Sequence, residues 1–347
     1  MSRDYSQFMP TSDSVDKKLS GLAVFGWQPF FEQQTDVDEM AITPPMRVTQ
    51  VHRSGLTVIG EEGVAFIPPG PEATVGDWVL HNSVLPTSSR VLDRKSLIKR
   101  RAAGHDRSTQ LIAANLDTAF IVTSCNLDFN VARLERYVAL VLEADVTPVI
   151  LLTKPDICDA PEAYVDAARE VSDLVPVVVL DARGEEPLTK LTEWCQPRKT
   201  VAFLGSSGVG KSTLANALSK SQDIATRAIR EDDARGRHTT THRHLHFVPG
   251  GYAVLDTPGM RELQLTEATA GVDELFADLV DLATRCKFRN CAHETEPGCA
   301  IKAALAAGEI DESRFVRWRK LVLEGDDRSD KLAQRKPRDK PVHKSVK

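Results

Sequence analysis

At 347 residues the chain exceeds one ordinary domain and suggests two or three. Hydrophobic residues make up 41% and charged residues 27%, as in soluble globular proteins, and the net charge of −5 excludes a globally basic nucleic-acid binder, so any basic surface must be local. No apolar stretch reaches the ~18 residues that span a bilayer, and the N-terminus lacks the apolar core of a signal peptide, so the reading is a cytoplasmic monomer without membrane contact.

Residues 1–45 form an N-terminal extension, a polar leader followed by "LAVFGWQPFFEQQ", whose Phe25, Trp27, Phe30 and Phe31 are expected to dock as a short aromatic helix on the body. Residues 46–108 alternate in polarity and carry Gly and Pro at turn spacing, which predicts a small β-barrel of short strands. Toward its end lie seven basic residues, Arg90, Arg94, Lys95, Lys99, Arg100, Arg101 and Arg107, against Asp93 and Asp106. Such a stripe suits either a nucleic-acid backbone or a solvated sheet edge.

Over 109–284, strand-like and helix-like segments alternate: "TAFIVTS", "VARLERYVALVLEAD", "TPVILLT", "APEAYVDAAREVSDL", "VPVVVLD", "KTVAFLG" and "GYAVLDTPG". This predicts an α/β domain with a parallel sheet covered on both faces. Residues 285–347 hold a Cys/His cluster, a helical stretch and a basic tail expected to be disordered, which reads either as a solubilising end or as an RNA-binding arm.

Three motifs carry nucleotide chemistry. "GSSGVGKS", from Gly205 through Ser206, Ser207, Gly208, Val209, Gly210 and Lys211 to Ser212, follows an apolar strand and precedes a helical stretch that opens with Thr213, the context a phosphate-binding loop needs. Its glycines let backbone N–H groups face phosphate oxygens; Lys211 is placed for the β- and γ-phosphates, Ser212 for Mg²⁺, and Thr213 at the helix N-terminus. "DTPG" follows about 45 residues after Ser212, with Asp256 placed to hold the magnesium through water and Gly259 to offer its N–H to the γ-phosphate. "TKPD", Thr153, Lys154, Pro155 and Asp156, supplies base choice: an Asp carboxylate accepts from guanine N1–H and N2–H, a donor pair adenine lacks. Lys154 is expected to lay its stem across the base and brace the phosphate loop. Base reader, phosphate loop and D-x-x-G come in an order different from that of ordinary small GTPases, so the domain looks circularly permuted.

Met260 stands where many GTPases place a water-orienting Gln. The stretch "GRHTTTHRHLH" lies where a mobile switch belongs and offers His238, His242, His244 and His246, with Thr240 or its neighbours able to close on Mg²⁺. Cys286, Cys291, His293 and Cys299 supply three thiolates and an imidazole within 14 residues, which suits one closed, structural Zn²⁺ site.

These motifs, together with "GDWV", "RAAGHDRSTQLIAANLDTAFIVTSCNLDFNVARLERYVAL", "GRHTTTHRHL", "DTPGMREL" and "CKFRNCAHETEPGCAIKAAL", give a chain that resembles the ribosome small subunit-dependent GTPase A family (RsgA, also called YjeQ) from about residue 20 to 325. The resemblance implies an oligonucleotide-binding (OB)-type barrel, a circularly permuted GTPase domain and a zinc domain. It also implies binding to the small (30S) ribosomal subunit and its 16S-type rRNA late in maturation, with hydrolysis of GTP to GDP and phosphate stimulated by the subunit. By motif position it assigns His238 to water orientation and Ala182, in "LDARGEE", to the backbone N–H that meets guanine O6. Asp181 stands where the family usually has Ser. The rivals are a zinc-containing RNA-binding protein in which nucleotide is only a switch, and an ATP-dependent kinase, against which Asp156 argues.

Overall fold

The alternation of short apolar runs with glycine turns in the first third of the chain, and of buried strands with amphipathic helices after it, converges on one continuous sheet. The computed structural model describes residues 21–101, 109–219, 243–248, 250–256 and 268–333. The leader before Gly21, Arg107, His238, Thr240, His242, Gly259, Met260 and the tail beyond Ala333 lie outside the described residues.

The aromatic segment does dock, but Gly26, at φ +91°, and Pro29 break it into pieces: a 3-10 turn at Gly21–Phe25 and a short helix α1 (Pro29–Glu32), followed by α2 (Val37–Ile42). Phe31 is buried, Trp27 meets Trp78 edge-on at 4.8 Å, and Phe25 meets Phe247 at 5.2 Å.

Five short strands follow: β1 (Pro45–His52), β2 (Gly55–Gly60), β3 (Gly63–Ile67), β4 (Trp78–Leu80) and β5 (Arg90–Val91). They form an antiparallel curl in which β1 pairs with both β2 and β4. Gly55 permits the β1–β2 turn, since φ is +141° and an added Cβ would lie 2.1 Å from the Ile67 carbonyl oxygen. Strands β6 (Leu97–Arg101) and β7 (Thr109–Ala114) pair as a separate hairpin.

Part of the basic stripe is committed to the fold. Arg90 pairs with Glu39, Arg94 with fully buried Asp77 at 2.8 Å, and Lys95 with Asp117 at 2.5 Å. Three of its members therefore satisfy internal carboxylates, which weakens the reading of the whole stripe as an RNA contact.

The second part contains β8 (Thr118–Ser124), α3 (Val131–Leu142), β9 (Thr147–Thr153), α4 (Pro161–Arg169), β10 (Val177–Val179), α5 (Glu186–Lys190), β11 (Thr200–Leu204), α6 (Lys211–Ser219), β12 (His244–Phe247) and β13 (Ala253–Asp256). Strand order is β10-β9-β8-β11-β13-β12, parallel throughout except for β12. Every residue of β8 is buried, as expected for a strand covered on both faces. Its period of two divides the core: Ala119 and Ile121 join the cluster beneath α3, whereas Phe120 and Val122 join the cluster beneath α6. Helix α3 begins at Asn130, whose side chain accepts from Arg133 N–H, and buries Leu134, Tyr137, Val138 and Val141 at helical spacing.

Strand β12 also pairs antiparallel with β1, at Gln50 and His244, and so joins the two sheets into one of eleven strands. Beside this seam Arg47 is fully buried. It donates to the Phe25 carbonyl at 2.7 Å and to Thr200 Oγ1 at 2.8 Å and lies over the Trp78 ring. Burial pushes its pKa down to about 10, against the pull of Asp117 and Asp77.

Four helices close the described chain: α7 (Thr269–Leu275), α8 (Ala277–Thr284), α9 (Ala300–Ala307) and α10 (Glu312–Ala333). Helix α7 approaches α3 so closely that a Cβ on Gly271 would sit 1.9 Å from the Ala139 carbonyl oxygen. Helix α10 packs against α7 and adds Phe315, Trp318 and Leu321 to the core that α3 also lines, and its Arg317 Nε meets the fully buried Glu135 of α3 at 2.8 Å. No helix among the described residues is long and apolar enough to cross a membrane.

Candidate functional site

The carboxyl ends of parallel strands are where open α/β sheets bind ligands. Here β9, β10, β11 and β13 deliver Thr153–Asp156, Ala182, Gly205–Ser212 and Asp256 to that one rim. The loop after β11 turns on three glycines of positive φ: Gly205 at +135°, Gly208 at +79° and Gly210 at +103°. At Gly205 a Cβ would lie 2.1 Å from the Val122 carbonyl oxygen, so only glycine fits. Val209 is buried in the core under α6 and pins the loop, while Ser207 and Gly208 remain exposed. Lys211 folds back over this loop, donating to the Gly205 carbonyl at 2.8 Å and to that of Ser206. Ser212 and Thr213 present exposed side chains in the first turn of α6, where orphan N–H groups favour anions.

The base-reading loop is tied directly to the phosphate loop. Thr153 Oγ1 donates to the Val209 carbonyl at 2.6 Å, and a Cβ on Gly210 would be 3.6 Å from Ala182 Cβ and 3.8 Å from Thr153 Oγ1. The brace is thus Thr153. Lys154 adopts a left-handed conformation, φ +57°, that turns the chain into a short 3-10 helix containing Pro155 and Asp156. The Asp156 carboxylate is partly exposed and accepts from Arg183 Nη2 at 2.7 Å. Asp181 accepts from the Arg183 backbone N–H at 2.9 Å and from its Nε at 3.1 Å, and these bonds to Arg183 hold its carboxyl below its ordinary pKa.

Asp256 closes β13 opposite His244; its side chain lies outside the described residues. His244 and His246 share one face of β12, with His244 Nδ1 3.0 Å from His246 Nε2. Burial, then the neighbouring His244, pushes the His246 pKa down to about 4, which keeps that ring neutral near neutral pH.

The Cys/His cluster lies between α8 and α9, and the ligand atoms of Cys286, Cys291, His293 and Cys299 are all within 4.8 Å of one another. Cys286 Sγ is 3.9 Å from Cys299 Sγ and 3.7 Å from His293 Nδ1, which is 3.4 Å from Cys299 Sγ. A tetrahedron with bonds of about 2.3 Å to sulfur and 2.0 Å to nitrogen has edges of roughly 3.5–3.8 Å, so the donors fit zinc in type and in spacing. Gly298 (φ +76°) and His293 (φ +60°) supply the tight turns. Burial raises the Cys286 thiol, but the N–H groups of Ala300 and Ile301 at the start of α9, together with the Cys299 and Cys291 side chains, bring the pKa below its ordinary value. His293 lies against Trp318, ring centres 5.7 Å apart, which connects the cluster to α10.

A sequence profile of the RsgA GTPase family matches residues 91–266. The chain is 47% identical to small ribosomal subunit biogenesis GTPase RsgA 2 of Vibrio parahaemolyticus, over 90% of this chain and 88% of that protein. It is 48% identical to small ribosomal subunit biogenesis GTPase RsgA of Mesorhizobium japonicum, over 90% and 92%. The chain belongs to the RsgA GTPase family. Among solved structures it is similar to YjeQ from Thermotoga maritima, with a TM-score of 0.58 and 25% identity over 81% of this chain and 97% of that one. It is also similar to YloQ, described as a circularly permuted GTPase, with a TM-score of 0.54 and 25% identity over 85% and 97%. The chain is therefore a circularly permuted GTPase, a hydrolase.

Within this family framework, the predicted nucleotide residues from Thr153 to Asp156, Ala182 and Gly205 to Thr213 converge on one rim, and the four metal candidates form one cluster. Sequence reasoning missed Arg183. Its only signal was its place two residues after Asp181, where a family loop usually carries Ser.

Proposed function

We propose that this RsgA GTPase binds the small ribosomal subunit in its GTP state, assists late maturation and leaves after hydrolysis to GDP and phosphate. The observation that carries the reading is the gathering of four sequence-distant segments, in permuted order, at one strand rim, in a chain whose close relatives are named for small ribosomal subunit biogenesis.

In this reading Asp156 reads guanine N1–H and N2–H, the Ala182 N–H meets O6, and Thr153 holds the base loop against the phosphate loop. The backbone from Gly205 to Gly210 cradles phosphates, and Lys211 leaves the loop carbonyls for the β- and γ-phosphates. Ser212 and Asp256 would hold Mg²⁺, which supplies charge neutralisation at the phosphates when bound. Gly259 serves the γ-phosphate, Thr240 closes over the site and His238 orients the attacking water. Cys286, Cys291, His293 and Cys299 would hold one structural zinc. Residues 46–108, the region from 285 onward and the basic tail provide rRNA contacts, and the protein works in the cytoplasm.

The test is co-sedimentation of the full chain with purified small subunits. Retention with a non-hydrolysable GTP analogue and release with GDP are expected. Equal retention in both states, or equal binding to large subunits, overturns the reading.

A further inference from the structure

A carboxylate meant to recognise guanine should present two acceptor oxygens to solvent when no base is bound. That of Asp156 has one of the two, Oδ2, engaged. Arg183 Nη2 lies 2.7 Å from its Oδ2, and the same guanidinium is anchored on Asp181 through Nε at 3.1 Å and Nη2 at 3.2 Å. Asp181 is itself fixed, accepting from the Arg183 backbone N–H at 2.9 Å while its own N–H donates to Glu186 Oε2 at 3.0 Å. The imitation is partial. Guanine offers a carboxylate two N–H groups, at N1 and N2; Arg183 spends its Nε–Nη2 fork on Asp181 and gives Asp156 one charged N–H, on Oδ2, where a guanine donor would otherwise bind.

We propose that Arg183, aimed by Asp181, is a guanine surrogate on Asp156: it holds the base-reading carboxylate in the nucleotide-free protein and must swing away before GTP or GDP binds. The inference deepens the proposed function and rests on Asp156 being the base reader. The arrangement is built to open, because Arg183 is two-thirds exposed and its neighbour Gly184, at φ +130°, has open space around it. The surrogate also belongs to this chain's own loop, since it depends on Asp181 standing where Ser is usual.

The consequence is a tax on affinity. Nucleotide binds only the fraction of molecules whose Asp156 is free, so the apparent dissociation constant is the intrinsic one divided by that fraction. An exposed pair of this kind is weak, which keeps the tax to about two- to fivefold, equal for GTP and GDP because the base is common to both. Salt screens an exposed pair and shrinks the tax.

The experiment is equilibrium titration of the full-length, zinc-loaded protein with a fluorescent GDP and a fluorescent non-hydrolysable GTP analogue, at low and high salt. Arg183→Ala should tighten both ligands about two- to fivefold at low salt and less at high salt. Asp181→Ser, which removes the anchor but keeps Arg183, should give part of the gain. Asp156→Asn should move preference toward xanthosine diphosphate, and adding Arg183→Ala in that background should change xanthosine diphosphate affinity little, because the carboxylate is gone. Unchanged or weaker guanine nucleotide binding in Arg183→Ala, alongside a clean switch to xanthosine in Asp156→Asn, overturns the surrogate and leaves the base reader standing. Retained guanine preference in Asp156→Asn overturns both.

Discussion

The nucleotide rim and the Cys₃His cluster are built in opposite ways. The rim is assembled from four loops up to about 100 residues apart, and what joins them is a parallel sheet whose strands are buried on both faces. Within it, Lys211 rests on loop carbonyls and Arg183 on Asp156. The cluster draws all four candidate ligands from 14 residues, in a loop between α8 and α9 that contains no helix or strand among the described residues. The rim is thus held by the sheet, whereas the cluster is expected to depend on a bound zinc for its shape.

Removing the metal tests that contrast most severely. Zinc contributes about 10–16 kcal/mol of binding free energy in small zinc modules. Chelation, or Cys291→Ser, should therefore unravel the segment between α8 and α9 and shift the emission of Trp318, with Trp318→Phe as the blank. Binding of fluorescent GDP should persist, since among the described residues no rim residue is paired with the cluster. Loss of nucleotide binding in parallel with the Trp318 signal would erase the distinction between the two regions.

A smaller effect is expected where α10 meets α3. Glu135 is fully buried and burial raises its pKa, with Arg317 pulling in the opposite direction. Glu135→Ala leaves Arg317 largely buried without its partner. After allowance for the 17% exposure of Arg317 the loss should be about 2–4 kcal/mol, read from the urea midpoint. Glu135→Gln should recover part of it. The smallest change is on the rim: Thr153→Val removes the donor to the Val209 carbonyl and should cost about 1 kcal/mol, or about fivefold in GDP affinity, with little change in unfolding midpoint.

What was legible in the sequence follows the same division. The phosphate loop and the Cys/His cluster are contiguous, so spacing alone displays them. The permuted order was legible because each motif carries its chemistry in a few residues. Pairings across the chain were not. Arg94 and Lys95 read as members of a basic stripe because Asp77 and Asp117, which hold them, lie 17 and 22 residues away. The seam between β1 and β12 was hidden for the same reason: Gln50 and His244 belong to segments that read as separate domains. Arg183 escaped notice because a loop arginine between two glutamates and an aspartate looks like ordinary surface until the fold brings β9 and β10 side by side.

That seam gives the central claim a physical route. Strand β12 pairs with β13, which ends at Asp256 on the nucleotide rim, and with β1 of the N-terminal curl, so a ligand held by the curl and a nucleotide at the rim act on one sheet. The most direct measurement is single-turnover GTP hydrolysis by the full-length chain, titrated with purified small ribosomal subunits at several salt concentrations. A slow basal rate that rises with subunit and falls back as salt disrupts RNA docking is the expected result. A rate that stays flat across the titration, with binding confirmed by co-sedimentation, would contradict the account.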